Sequence, residues 1–261
     1  MIISEKVKDK LPIKDLNNYY VVTDFDRTIT NGSSKTSWSI LAESNMVPEV
    51  YVNERQELYD KYRPIELDNN MDFNERSRLV SEWYRKHVEL FIKYHISEEL
   101  FEKAGSDLRI MDLRPDAKEF LYFLKEHNIP LIIISAGIGN FIESFLKKND
   151  CLYDNIYISS NKIIFKDGIA VGVSENMIHS LNKNEVSLPN YIKDKIKDRS
   201  KAILFGDQIS DLNMVDDKKK EVIKVGFYSS RTKNTLDEFT NSYDIVCEDS
   251  DNYNELLREL F

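Results

Sequence analysis

Three runs of apolar residues along the chain each lead into a polar side chain. They are YVVTDF at 20–25, which ends in a carboxylate at Asp24; IPLIIIS at 129–135, which ends on Ser135; and AILF at 202–205, which passes through Gly206 to Asp207. Short, β-branched, unbroken runs of this kind predict strands buried on both faces of a parallel sheet. Between the first run and the second the period changes. From about 37 to 105 the chain reads as helices, and Leu79, Val80, Trp83, Tyr84, Val88 and Phe91 mark one face of a helix over 72–95. Asp72 is its expected N-cap, with Glu75 three residues on. Pro115 opens a helix over 116–127, with Phe120, Leu121 and Leu124 on one face, and another comes over about 140–148. Short strands are expected at 156–159, 162–165 and 169–173, the last two as a hairpin around Asp167-Gly168. Strands at 222–227 and 243–247 and helices near Asp211, near Thr235 and over 253–260 complete the run. This alternation predicts an α/β fold, a doubly wound Rossmann-like parallel sheet, whose ligands bind beyond the carboxyl ends of the strands. The helical block interrupts the alternation right after the first strand. It is expected to be an inserted all-helical cap, 37–107, on a catalytic core formed by 1–36 and 108–261.

Composition narrows the function classes. The 261 residues carry a net charge of −9, with 41% hydrophobic and 31% charged positions, as in a soluble globular protein. An acidic surface repels nucleic acid polymers, and any phosphate substrate would need cations supplied locally. The longest apolar run, 129–134, is far short of the roughly 20 residues of a membrane span. MIISEKVKDK mixes charges of both signs without an apolar stretch, unlike a signal peptide. Cys151 and Cys247 lie far apart and suggest no disulfide framework, so a cytoplasmic setting is expected.

The candidate chemistry gathers at the ends of the three runs. In Asp24-Phe25-Asp26-Arg27-Thr28, alternate residues of an extended chain face one way, so one carboxylate could attack phosphorus while the other handles protons. Ser135-Ala136-Gly137-Ile138-Gly139 offers a hydroxyl and small residues at an expected strand-to-helix turn, suited to phosphoryl oxygens. Lys183, in HSLNK, could offset phosphoryl charge. In Gly206-Asp207-Gln208-Ile209-Ser210-Asp211, two carboxylates four residues apart suit magnesium. Each has an ordinary alternative: a solvated strand end, a glycine-bearing turn, a surface lysine, or a helix N-terminus with favourable acids. Their order and placement over some 190 residues agree with one another, which none of them does alone.

DFDRT, SAGIG, Lys183 and GDQISD resemble the four ordered motifs of the haloacid dehalogenase-like hydrolases. The chain is more closely similar to pyrimidine 5′-nucleotidases of the cytosolic 5′-nucleotidase III type, through TDFDRTIT, KYRPIELD, SEWYRKH, IPLIIISAGIGN, HSLNKNE, ILFGD and SYDIVCED. The resemblance implies Asp24 as nucleophile and metal ligand, and Asp26 as general acid/base that lends the metal its carbonyl. It implies Asp207 and Asp211 as the remaining acids around magnesium. Ser135 and Lys183 would hold the phosphoryl group, with Ala136 or Gly137 adding backbone N–H contacts. Glu66 would contact the nucleoside and Tyr84 would stack on the base or simply pack, with Trp83 as core. The substrates implied are nucleoside 5′-monophosphates, pyrimidine ones preferred, with phosphotransfer to a nucleoside as a side reaction and a monomeric chain. SAGIGN in place of SAGIGD, and GDQISD in place of GDSxGD, are the departures, at Asn140, Gln208 and Ser210. Two other readings are a phosphatase for phosphoserine or a sugar phosphate, and a catalytically silent nucleotide-binding regulatory protein.

Overall fold

The computed structural model describes residues 1–106, 109–174, 176–218, 220–232, 234–248 and 251–261. Asp107 and Leu108, where the expected cap rejoins the core, lie outside the described residues, as does Asp249 at the end of SYDIVCED. The strands are β1 (Ile2–Ile3), β2 (Tyr19–Thr23), β3 (Leu131–Ile138), β4 (Ile156–Asn161), β5 (Ile163–Lys166), β6 (Ile169–Val173), β7 (Lys201–Gly206), β8 (Glu221–Phe227) and β9 (Ile245–Cys247). The helices are α1 (Glu5–Lys8), α2 (Ile40–Glu43), α3 (Glu49–Glu66), α4 (Phe73–Lys93), α5 (Glu98–Ala104), α6 (Ala117–Glu126), α7 (Gly139–Lys148), α8 (Asn190–Ile196), α9 (Leu236–Ser242) and α10 (Tyr253–Leu260).

Seven strands form one sheet in the order β1-β9-β8-β7-β2-β3-β4. All pairs are parallel except the first, where two residues of β1 run antiparallel to β9. The sheet is therefore mixed at one edge rather than wholly parallel. Its centre is where the sequence is most apolar: Val22 lies level with Ile132 on one side and Leu204 on the other. Alternation then sorts the side chains onto two faces. Tyr20, Val22, Ile132, Ile134 and Leu204 pack with Ile192 and Ile196 of α8 and Phe239 of α9. Val21, Leu131, Ile133, Ile203 and Phe205 pack with α6, α7 and α10 on the other face, in a cluster that continues into Val88 and Phe91 of α4.

Several expected elements shift. β3 does not turn at Ser135; it continues through Ala136 and Gly137 to Ile138, with its pairing to β4 slipping register after Ile134. Small side chains let the strand carry on past its apolar part. The helix expected near Asp211 is a 3₁₀ turn, Ile209–Met214. α6 begins at Ala117, because Asp116 takes a left-handed conformation (φ 60°). The β5–β6 hairpin stands apart from the sheet and turns at Asp167 and Gly168, both at positive φ, which glycine adopts without steric cost.

α3 and α4 pack on each other, and α4 also packs on β6. Asp72 caps α4 as expected, its Oδ1 accepting from Asn74 N and Glu75 N at 3.0 Å each. No helix among the described residues is long and apolar enough to cross a membrane.

Candidate active site

Asp24 comes directly after β2 and keeps the strand's alignment, its amide donating to Phe205 O of β7 at 3.1 Å. Next along the sheet, β7 ends at Gly206, and here glycine is required by space. A Cβ would lie 2.5 Å from Asp211 Cβ. That close approach folds the 3₁₀ turn back, so that Asp211 Oδ2 accepts from the amides of Asp207 (3.2 Å) and Gln208 (3.0 Å). Gln208 Nε2 donates to Asp207 Oδ2 at 2.9 Å. Asp24, Asp207 and Asp211, all buried, each present an oxygen within 4.8 Å of the others.

Lys183 Nζ stands between two of them, 2.8 Å from Asp24 Oδ1 and 3.1 Å from Asp211 Oδ1. Burial alone would lower the lysine's pKa, but Asp211, Asp24 and Asp207 together outweigh it and the ammonium is held charged. Burial, and after it repulsion from neighbouring acids, raises Asp207 and Asp211 above the usual carboxylate range. One ammonium does not balance this many carboxylates. Asp24 Oδ1 has the lysine close by but no well-aligned hydrogen-bond donor. The donor set of hard, crowded, buried carboxylate oxygens with acceptor capacity to spare fits magnesium.

Asp26 has different company. It accepts from Ser37 N (3.1 Å to Oδ1) and from Ser37 Oγ (3.2 Å to Oδ2). Burial, then the charge of Asp24, pushes its pKa up to about 7, against the lowering effect of the Ser37 amide. Ser37 Oγ also accepts from Ile138 N at 3.1 Å, which ties the first motif to the end of β3. Gly137 fills this seam: a Cβ there would lie 2.4 Å from Ser37 Oγ and 3.4 Å from Asp26 Oδ2. Its amide donates to Ser135 Oγ at 3.0 Å.

A cleft of about 430 Å³ opens from these groups toward α3 and α4. Eight of the ten expected site residues line it: Asp24, Asp26, Glu66, Tyr84, Ser135, Ala136, Gly137 and Lys183. Asp207 and Asp211 stand beside Asp24 and Lys183 without lining it. An aromatic group also lines it. Trp38 donates from Nε1 to Ala136 O (2.8 Å), and its ring lies 5.1 Å from Tyr84 and 5.5 Å from His87. Burial pushes His87 down to about 3, so the imidazole is neutral at ordinary pH. Trp83 is both core and lining, stacked on Tyr62 at 6.3 Å. Glu66, buried at the end of α3, accepts from Ser180 Oγ at 2.5 Å and from Arg63 Nη1. A groove of similar size, about 450 Å³, crosses α3 and α4, where Lys93 pairs with Glu54 at 2.6 Å.

Sequence reasoning does not single out Ser37, Trp38, His87 or Ser180. Trp38 alone carries a signal, a large aromatic in an otherwise polar stretch just after DFDRT. Nothing local marks Ser37 or Ser180, whose partners are 11 and 114 residues away.

The sequence model of the pyrimidine 5′-nucleotidase (UMPH-1) family matches residues 22–260. A 7-methylguanosine phosphate-specific 5′-nucleotidase of Drosophila melanogaster is 30% identical over 255 residues, covering 94% of this chain and 80% of its own. The enzyme of that name from Mus musculus is 32% identical over 253 residues, covering 92% and 84%. Among solved structures, cytosolic 5′-nucleotidase IIIB bound to cytidine superposes with a TM-score of 0.83 at 29% identity, over 97% of this chain and 88% of that one.

Proposed function

Since the chain belongs to the pyrimidine 5′-nucleotidase (UMPH-1) family and shares the haloacid dehalogenase-like fold, we propose that it releases phosphate from nucleoside 5′-monophosphates through an aspartyl-phosphate on Asp24. The observation that carries this is the division between two carboxylates of one motif. Asp24 faces Lys183 and the buried acids, whereas Asp26 is hydrogen-bonded by Ser37 and pushed up to about 7, poised to give and take a proton near neutrality.

In the first step an oxygen of Asp24 attacks phosphorus in line, and the bond from phosphorus to O5′ breaks. Asp26 gives its proton to O5′ and the nucleoside leaves. In the second step Asp26 takes a proton from water as the water oxygen attacks the phosphoryl group, freeing Asp24 and inorganic phosphate. A nucleoside hydroxyl in place of that water gives phosphotransfer. Lys183 offsets the phosphoryl charge. Ser135 Oγ accepts from Gly137 N, which leaves its own O–H to donate to a phosphoryl oxygen. Asp24, Asp207 and the Asp26 carbonyl, with Asp211 behind, would hold magnesium, which would supply further positive charge at the phosphoryl oxygens. Residues 37–107 act as the cap, closing the nucleoside end of the cleft to water. Two free, buried cysteines fit a cytoplasmic protein.

Pyrimidine monophosphates, CMP and UMP, are the first substrates we assign. A second reading, 7-methylguanosine 5′-monophosphate, is favoured by Trp38 and Glu66: a methylated, cationic base gains from an aromatic face and a nearby carboxylate. The fly and mouse relatives carry that name. Phosphate release with and without magnesium, from CMP, UMP, 7-methylguanosine monophosphate, AMP, ribose 5-phosphate and phosphoserine, tests the reading. Nucleoside monophosphates should lead, and only with metal. Equal or faster release from phosphoserine or ribose 5-phosphate would remove the nucleotidase assignment. Asp24→Asn should abolish turnover with the fold intact, and normal activity in that variant would remove the mechanism.

A further inference from the structure

We propose that Ser180 is a positioning residue that fastens Glu66 of α3 to the loop carrying Lys183, so that nucleoside recognition and phosphoryl binding are set by one rigid segment. The inference rests on the function proposed above and adds to it a residue and a coupling.

The segment 177–184 joins β6 to α8 and is held from within. Asn182 accepts from His179 N at 2.7 Å and donates to Met177 O at 2.9 Å. Asn161, at the end of β4, grips Ile178 from both sides, accepting from its amide and donating to its carbonyl at 2.8 Å each. A loop pinned this way moves as a unit. Three of its side chains leave in two directions. Lys183 reaches Asp24 and Asp211 in the core. Ser180 Oγ donates to Glu66 Oε1 at 2.5 Å, across to α3. His179 Nδ1 accepts from Leu181 N at 3.3 Å, which places the hydrogen on Nε2, 3.4 Å from Ser77 Oγ of α4.

The seam between α3–α4 and the core is thus bridged three residues from Lys183. Glu66 is buried, and a buried carboxylate must keep hydrogen-bond donors. Its other donor, Arg63, lies one turn back on the same helix and is 39% exposed. Arg63 can satisfy Glu66 wherever α3 goes, whereas among the described residues Ser180 is the donor that relates the carboxylate to the phosphoryl site. Removing the hydroxyl leaves Glu66 paired and no longer aimed.

The test is a kinetic cycle on the intact chain, comparing wild type, Ser180→Ala, Ser180→Thr, Glu66→Gln and Ser180→Ala/Glu66→Gln with the best nucleoside monophosphate of the panel. Ser180→Ala should raise KM about tenfold while kcat falls less than about threefold, and Ser180→Thr, which keeps the hydroxyl, should restore most of the loss. Because Ser180 acts through Glu66, the double variant should be no worse than Glu66→Gln alone, within about twofold. Multiplied losses, or a Ser180→Ala enzyme with wild-type KM, would overturn the proposal. A poorly folded Ser180→Ala would show as a lowered unfolding midpoint, and Ser180→Cys then takes its place in the cycle. If wild type cleaves another phosphoester of the panel best, the nucleotidase reading falls. The cycle run on that phosphoester still decides the coupling by additivity or its absence.

Discussion

The imidazole of His87 lies against Trp38 and Trp83, and burial lowers its pKa to about 3, with Arg55 adding to the shift. An exposed histidine in the unfolded chain titrates near ~6.5. Between those values the unfolded chain holds a proton that the folded chain does not. Stability is therefore full above the unfolded value and falls as pH drops below it, by about 1.4 kcal/mol per pH unit. His179, lowered to about 4 chiefly by burial, acts in the same sense. His87→Gln removes one of the two contributions. The difference in unfolding free energy between pH 7.5 and pH 5, from urea melts, should shrink by roughly 2 kcal/mol relative to wild type, and an unchanged difference would mean that His87 is not buried neutral. The same enclosure separates the aspartates of DFDRT. Asp26 is raised by burial and by Asp24, and the amide and hydroxyl of Ser37 hold it in place.

At the scale of elements, the site depends on how β2, β3 and β7 end. Gly206 closes β7 with Asp211 Cβ 2.5 Å from where its own Cβ would be. Gly206→Ala cannot be relieved by a side-chain rotation, because the opposing atom is itself fixed to the backbone. The variant should lose about 1–3 kcal/mol of stability from overpacking. It should also need more magnesium, since Asp211 and with it the amide of Asp207 must shift. A magnesium titration of phosphate release identical to wild type would refute this. The ends of elements are also where the sequence is hardest to read. The α4 start is legible because Asp72 acts through bonds to the amides two and three residues away. The continuation of β3 through Ser135-Ala136-Gly137 is not, because small residues carry no period of two and the pairing with β4 that flanks them, at Ile134 and Ile138, is set by a distant segment. β1 and α8 escape a sequence reading for a related reason. Ile2 and Ile3 form a strand only because β9 lies alongside, and α8 has just Ile192 and Ile196 buried in seven residues.

Over the whole molecule the governing quantity is charge. The chain carries −9, yet its proposed substrate is an anion and its site concentrates aspartates. Asp24, Ser135, Lys183 and Asp207 are legible because each sits at a fixed place in an ordered set of motifs. Trp38, Ser37 and Ser180 are not, because they enter the site through contacts with Ala136 of β3, with Asp26 and with Glu66 of α3, which no local pattern encodes. Charge then predicts how the folded state answers to metal. Asp207 and Asp211 are raised by burial and by repulsion, so the folded chain carries the cost of crowded carboxylates. A ligand that binds only the folded state, at about 100 times its Kd, adds about 2.7 kcal/mol. For a chain of this size that corresponds to a rise in Tm of about 5–10 °C. Magnesium should produce that rise and EDTA should reverse it. Asp207→Asn removes one of the repelling charges while keeping an oxygen for Gln208 Nε2. Without metal this variant should melt above wild type, and with magnesium it should show little further rise. Glu66→Gln, at the end of α3, should keep the full magnesium response. A Tm increase with magnesium that survives Asp207→Asn would place the cation elsewhere and remove the metal from the mechanism's centre.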